Sequence, residues 1–224
     1  MKLLAIETST ELASVALAVE GEVFSEEQDC LRQHAHKLLP MIDRLLVKAA
    51  INTNQLDGIV FGRGPGSFTG LRIACSVAKG IACAHQLPLF PVSTLAAIAY
   101  DIYHTKLPNC QTHQVLALID ARMHQVYWGI FNKDNYETDE HVTESNLVSI
   151  PGTAEIVVAG MGYEHYIEAL PLAVKKHIIQ YNPVFPHAKA LIQIALTGKI
   201  NPVSAEQALP IYIRNQVTQG EKGG

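Results

Sequence analysis

The chain has 224 residues, 48% of them hydrophobic and 17% charged, with a formal net charge of -4. That length suits one large domain or two small ones sharing a core, and the apolar surplus predicts a surface patch covered by another subunit. The charge excludes a general electrostatic grip on nucleic acid, which needs a basic surface.

Lys2–Glu7 is an apolar run of strand length, followed by strands over Ala13–Val19 and Glu22–Glu27 with Glu20-Gly21 as a hairpin turn. Leu38, Leu39, Ile42, Leu45, Leu46 and Ala49 recur at the three-and-four spacing of a helix with one buried face. Asp57–Gly62 reads as a fourth strand, Gly62–Gly70 as a glycine-rich loop and Leu71–Ala84 as a second helix. Leu89–Val92 is a fifth strand, and Ser93-Thr94 offers an N-cap for a third helix through Tyr100.

Asp101–Gln114 is polar, contains Pro108 and Asn109, and is the expected domain junction, dividing the chain into 1–107 and 108–224. The pattern then partly repeats. Val115–Asp120 is a strand ending in an acid, as Lys2–Glu7 ends in Glu7, and Gln125–Phe131 alternates as the next strand. After a polar connection, Ile156–Ala159 is a strand leading through Gly160-Met161-Gly162 into a predicted helix. Pro186–Thr197 is a short helix stopped by Gly198, and Leu209–Ile213 a last strand, in a final segment expected to pack back on the first half. Two halves that each open strand–acid–strand suggest a duplicated mixed-sheet α/β architecture with helices packed on it.

Gly62, Gly64, Gly66 and Gly70 fall within nine residues between a strand and a helix, where backbone N–H groups can hold an anion. On that reading the candidate nucleotide contacts are Glu7, Thr8, Ser9, Gly64, Gly66 and Ser67. The alternative, a tight structural turn, is favoured. No G-x-x-x-x-G-K-[ST] is present, Thr69 stands where G-x-G-x-x-G needs glycine, and Pro65 stands where a G-x-S-x-G nucleophile elbow needs it.

The helix after the loop repeats small residues every four positions, at Gly70, Ala74, Ala78 and Ala82, with Ser76, Gly80 and Ala84 on a neighbouring row. Small residues along one face let another backbone approach closely. The expected partner or dimer interface is therefore Gly70, Leu71, Ala74, Val77, Ala78, Ile81 and Ala82.

Elsewhere, His34 and His36 stand two apart on a helix and do not share a face, so a shared metal is not expected. Cys30, Cys75, Cys83 and Cys110 form no C-x-x-C pair and read as buried reduced thiols; the remaining histidines and Trp128 read as structural. The apolar start Leu3-Leu4-Ala5-Ile6 is too short for a signal peptide, and no run reaches the roughly 18 apolar residues of a membrane helix. A cytoplasmic protein without a membrane partner is expected.

The stretch GRGPGSFTGLRIACSVAKGIA closely resembles the signature of the TsaB family, also called YeaZ. LLAIETST, HKLLPMIDRLL, PVSTLAAIA, LALIDARMHQVYWGIF and ALPIYIRN match in order along the chain. The resemblance implies an actin, heat-shock-chaperone and sugar-kinase type of fold with two ribonuclease-H-like subdomains. It also implies a non-catalytic subunit working with the catalytic paralogue TsaD and the small ATPase TsaE in threonylcarbamoyl transfer to the adenosine next to the anticodon of tRNA. Alone, such a chain is expected to pair with itself. It touches tRNA through the complex, and needs no cofactor or metal of its own, with ATP or ADP at interfaces of the complex. The catalytic paralogue carries V-N-H-x-x-x-H, whose histidines hold a metal; here Thr94 and Ile98 take their places in Val92–Ile98. Asp120, with Arg122, follows the matching strand of the second half, where an acid can hold magnesium in kinase-like members of the fold, but nothing else in the sequence completes that site. A stand-alone ATP-binding kinase-like enzyme or a metalloprotease is the disfavoured alternative.

Overall fold

The chain opens as its alternation and turn residues dictate, with β1 (Leu3–Glu7), β2 (Leu12–Val19) and β3 (Glu22–Asp29) as an antiparallel meander. Glu20 at φ 52 and Gly21 at φ 92 make the hairpin with two positive-φ residues, matching the twist of the flanking strands. The computed structural model describes residues 1–30, 33–106 and 113–213.

After α1 (His34–Lys48), β4 (Gly58–Gly64) runs parallel to β1, and after α2 (Phe68–His85), β5 (Leu89–Ser93) runs parallel to β4. The first sheet has the order β3-β2-β1-β4-β5. Then α3 (Thr94–Thr105) leads to the second half, where β6 (Gln114–Arg122), β7 (Gln125–Phe131) and β8 (His141–Glu144) form another antiparallel meander. β9 (Ile156–Met161) is parallel to β6, and beyond α4 (Leu172–Lys175), β10 (Ile178–Pro183) is parallel to β9. The second order, β10-β9-β6-β7-β8, repeats the first strand for strand and direction for direction. This is the duplicated ribonuclease-H-like arrangement, two mixed sheets flanked by helices.

α3 and α5 (Ala188–Leu196) lie between the sheets and share one apolar core with both. Period-two alternation sends Leu3 and Ala5 into that core, while Leu4 and Ile6 face a second core beneath α1 and α2. There Leu38, Met41, Ala74 and Ala78 close over Ile59 and Phe61. A third core under the second sheet gathers Leu116, Leu118, Trp128 and Tyr163. Trp128 donates Nε1–H to Thr143 Oγ1 at 3.0 Å and stacks on His141, so it is structural.

Several elements differ from the sequence reading. β4 runs on past Gly62 to Gly64, and α2 starts at Phe68, because Ser67 caps it by accepting the Gly70 N–H at 3.3 Å. α3 continues to Thr105 through residues read as a junction; Asp101 and Ile102 pack inward, and Thr105 Oγ1 bonds back to the Asp101 carbonyl. The predicted boundary at 107–108 and Cys110 fall outside the described residues. The helix after Gly162 is a 3-10 segment, Glu164–Ala169, and the one-turn α4. Leu209–Ile213 is not a strand. It is an extended strap whose Ile211 N–H donates to the Arg63 carbonyl at 2.8 Å. β8 and β10 went unpredicted. Cys30 and Cys75 are buried, but Cys83 is exposed, because it stands on the outer face of α2.

Candidate functional site

Glu7 ends β1 fully buried, and the glycine segment closes over it. Its Oε1 accepts the Ser9 N–H at 2.6 Å, and its Oε2 accepts the Thr94 hydroxyl at 3.2 Å. Burial pushes its pKa above the ordinary carboxylate value, against the lowering effect of these bonds. Thr8 Oγ1 donates to the Gly70 carbonyl at 2.7 Å, and the Ser67 N–H donates to the Ser9 carbonyl at 2.7 Å.

These contacts explain the glycines. A Cβ on Gly62 would collide with the Glu7 carboxylate, and one on Gly70 with the Thr8 carbonyl. Among the candidate nucleotide contacts, the structure gathers Glu7, Thr8, Ser9, Gly66 and Ser67 at one turn, with Gly64 at the end of β4 beside it. Glu7, Thr8 and Ser9 are buried there; Glu7, the Thr8 hydroxyl and the Ser9 backbone are bonded within the chain, while the Ser9 hydroxyl has no hydrogen-bond partner among the described residues.

The residues expected at an interface divide differently. Gly70, Leu71, Ala74, Ala78 and Ala82 are buried against this chain's own first sheet, with Ala74 and Ala78 fully covered. That row cannot meet another chain, because the small side chains already serve close approach to β4. Val77 and Ile81 are half-buried, as is Ile73, and the row at Ser76, Gly80 and Ala84 is exposed. The outward face of α2 therefore mixes small residues with the edges of β-branched ones. α1, packed beside α2, exposes Leu39 at 56% and Val47 at 73%. Strap residues 201–213 cover one flank of α2: Lys79 Nζ donates to the Ala208 carbonyl at 3.1 Å and Arg72 Nε to Tyr212 Oη at 3.0 Å.

In the second half Asp120 occupies the place that Glu7 has in the first. Its Oδ1 accepts the Arg122 N–H at 2.7 Å and the Tyr166 hydroxyl at 2.8 Å, and its Oδ2 lies 3.1 Å from Arg122 Nη1. His34 is buried and His36 exposed, so they point apart.

A family model described as "TsaD: tRNA N6-adenosine threonylcarbamoyltransferase" matches residues 23–183. Proteins named tRNA threonylcarbamoyladenosine biosynthesis protein TsaB, from Haemophilus influenzae and Escherichia coli, are each 33% identical over 97% of this chain and over 95% and 96% of their own. The chain belongs to the TsaB family. The solved structure titled YeaZ from Pseudomonas aeruginosa agrees, with a TM-score of 0.84 at 39% identity over 94% of this chain and 99% of that one.

Within this TsaB-family fold, Thr94 and Ile98 are both fully buried. The Thr94 hydroxyl is committed to Glu7, and Ile98 packs in the core between the sheets. Isoleucine offers a metal no ligand. Among the described residues no group of three or more His, Cys, Asp or Glu is placed to hold a metal ion. No helix among them is long and apolar enough to cross a membrane.

Proposed function

We propose that this chain is a non-catalytic partner subunit for threonylcarbamoyl transfer to the adenosine next to the anticodon of tRNA, acting in the cytoplasm with TsaD and TsaE. Relatives matched over nearly their whole length carry the name of that biosynthesis. The observation that carries the accessory role is the pair Thr94 and Ile98, one bonded to Glu7 and the other in the core, at the positions a catalytic paralogue needs for metal. The remaining asset is a surface. The outward face of α2, with Ser76, Val77, Gly80 and Ile81 and exposed Leu39 and Val47 on α1, is the docking face for TsaD. Alone, the same face pairs two copies about a twofold axis, since an isologous contact covers identical patches at once.

No cofactor is assigned to the chain itself. ATP or ADP belongs at junctions of the assembly, and tRNA is reached through the partners. Reconstituted tRNA modification is the test. With TsaD, TsaE and the threonylcarbamoyl donor, omission of this chain abolishes modification and its return restores it. Full modification without the chain, or steady ATP turnover by the chain alone, would overturn the reading.

A further inference from the structure

Arg63, near the end of β4, is held at both of its ends. Its carbonyl accepts Ile211 N–H from the strap at 2.8 Å, and its Nη1 lies 3.0 Å from Glu140 Oε2. Glu140 comes from the other half, one residue ahead of β8, and its side chain is only 7% exposed against 22% for Arg63. The other carboxylate oxygen, Oε1, accepts the Ser93 hydroxyl. Ser93 is itself the N-cap of α3, where its Oγ accepts the Ala96 N–H at 3.1 Å. A carboxylate at that point faces the positive end of the helix. One nearly buried anion thus joins the end of the first sheet, the start of the helix between the halves and the loop entering β8.

Such a pair is poorly screened by salt, and removing one member leaves the other uncompensated away from water. The far side of the strap is fastened too, because Tyr212 Oη accepts Arg72 Nε and the Tyr212 ring lies 5.2 Å from that of Phe68, the first residue of α2. A tilt in the first turn of α2 therefore reaches Arg63 through the strap, and Glu140 through Arg63.

We propose that Arg63, Glu140 and Ser93 form a latch coupling α2 and its strap in one half to the loop before β8 in the other, so that loosening either side loosens both. The latch belongs to the chain alone and stands whether or not α2 is the docking face.

Amide hydrogen exchange on the full-length chain tests it. Glu140→Gln is expected to speed exchange about tenfold or more over 141–144, at the start of α3, and also at Ile211, the strap amide bonded to Arg63. Tyr212→Phe, a surface change that removes only a hydroxyl, is expected to speed exchange over 141–144 severalfold. Arg63→Gln combined with Glu140→Gln should exceed neither single variant by more than twofold. The latch is overturned if Glu140→Gln acts only on its own loop, if Tyr212→Phe leaves 141–144 unchanged, or if the double variant shows the product of the single effects.

Discussion

The two halves carry the same sheet and end their first strands in an acid, yet the turns after those acids are built differently. Glu7 is buried and held by Ser9 and Thr94, with glycines closing over it. Asp120 keeps 21% of its side chain exposed and leans on Arg122 and Tyr166. In the first half the closed turn launches the 18-residue α2; in the second, the matching strand runs into a 3-10 segment and a four-residue helix. A duplicated sheet has therefore kept its topology while one copy alone retained a long helix with an outward face. The sheet repeats, and the long outward-facing helix does not.

That contrast can be broken at defined positions. The largest effect belongs to Gly70→Ala, whose new Cβ meets the Thr8 backbone, which cannot swing aside as a side chain would. We expect a loss of about 3–5 kcal/mol or failure to fold, read by denaturant unfolding. Next comes a pH slope from the helices joining the halves. Burial pushes Asp101 from 3.8 up to about 7, and its Oδ2 has no hydrogen-bond partner among the described residues. Between those values only the unfolded chain has released the proton, so stability falls as pH rises from about 4 to 7.

His187, whose Nδ1 lies 2.8 Å from Glu27 Oε1, is raised by that contact, and its stabilisation is likewise lost as pH climbs through its folded value. Glu27 is lowered mainly by the same contact and gives up its share as pH falls. Glu7, raised by burial, acts in the same direction as Asp101, so stability is expected to decline by a few kcal/mol as pH rises from about 4 to 7. Asp101→Asn should flatten most of that decline in unfolding measured across pH.

The two acids come third. Glu7→Gln keeps the shape but turns an amide group toward donors, and should cost about 1–3 kcal/mol, whereas Asp120→Asn should cost less than about 1 kcal/mol. Equal losses would erase the difference drawn between the turns. The smallest effect is Gly80→Ala. Nothing lies within 4 Å of the added Cβ, so thermal unfolding should show a gain of up to about 1 kcal/mol from helix propensity.

Much of this was legible from the residues, and the failures have physical causes. β1, β2, β4 and β6 read clearly because most of their residues are buried and their ends carry turn residues. β8 and β10 are edge strands, only four residues long in one case, and with Ile179, Gln180 and Tyr181 exposed in the other, so neither shows one buried face. The reason for Gly70 lies 62 positions away at Thr8, and no local pattern can display it. The face of α2 is the most instructive miss. Two rows of small residues run at the same spacing on opposite sides of the helix, and only the position of β4 decides that Ala74, Ala78 and Ala82 turn inward while Ser76, Gly80 and Ala84 turn out. A probe at Ala78, fully buried, would report on folding instead of association.

The most direct measurement is the affinity of this chain for purified TsaD with an arginine placed on each half in turn. Gly80→Arg, on the exposed row of α2, should weaken association about a hundredfold without lowering stability. Leu172→Arg, at a position 80% exposed in the second half, should bind as the unaltered chain does. Wild-type affinity for Gly80→Arg together with a loss for Leu172→Arg would contradict the account and place the partner on the other half.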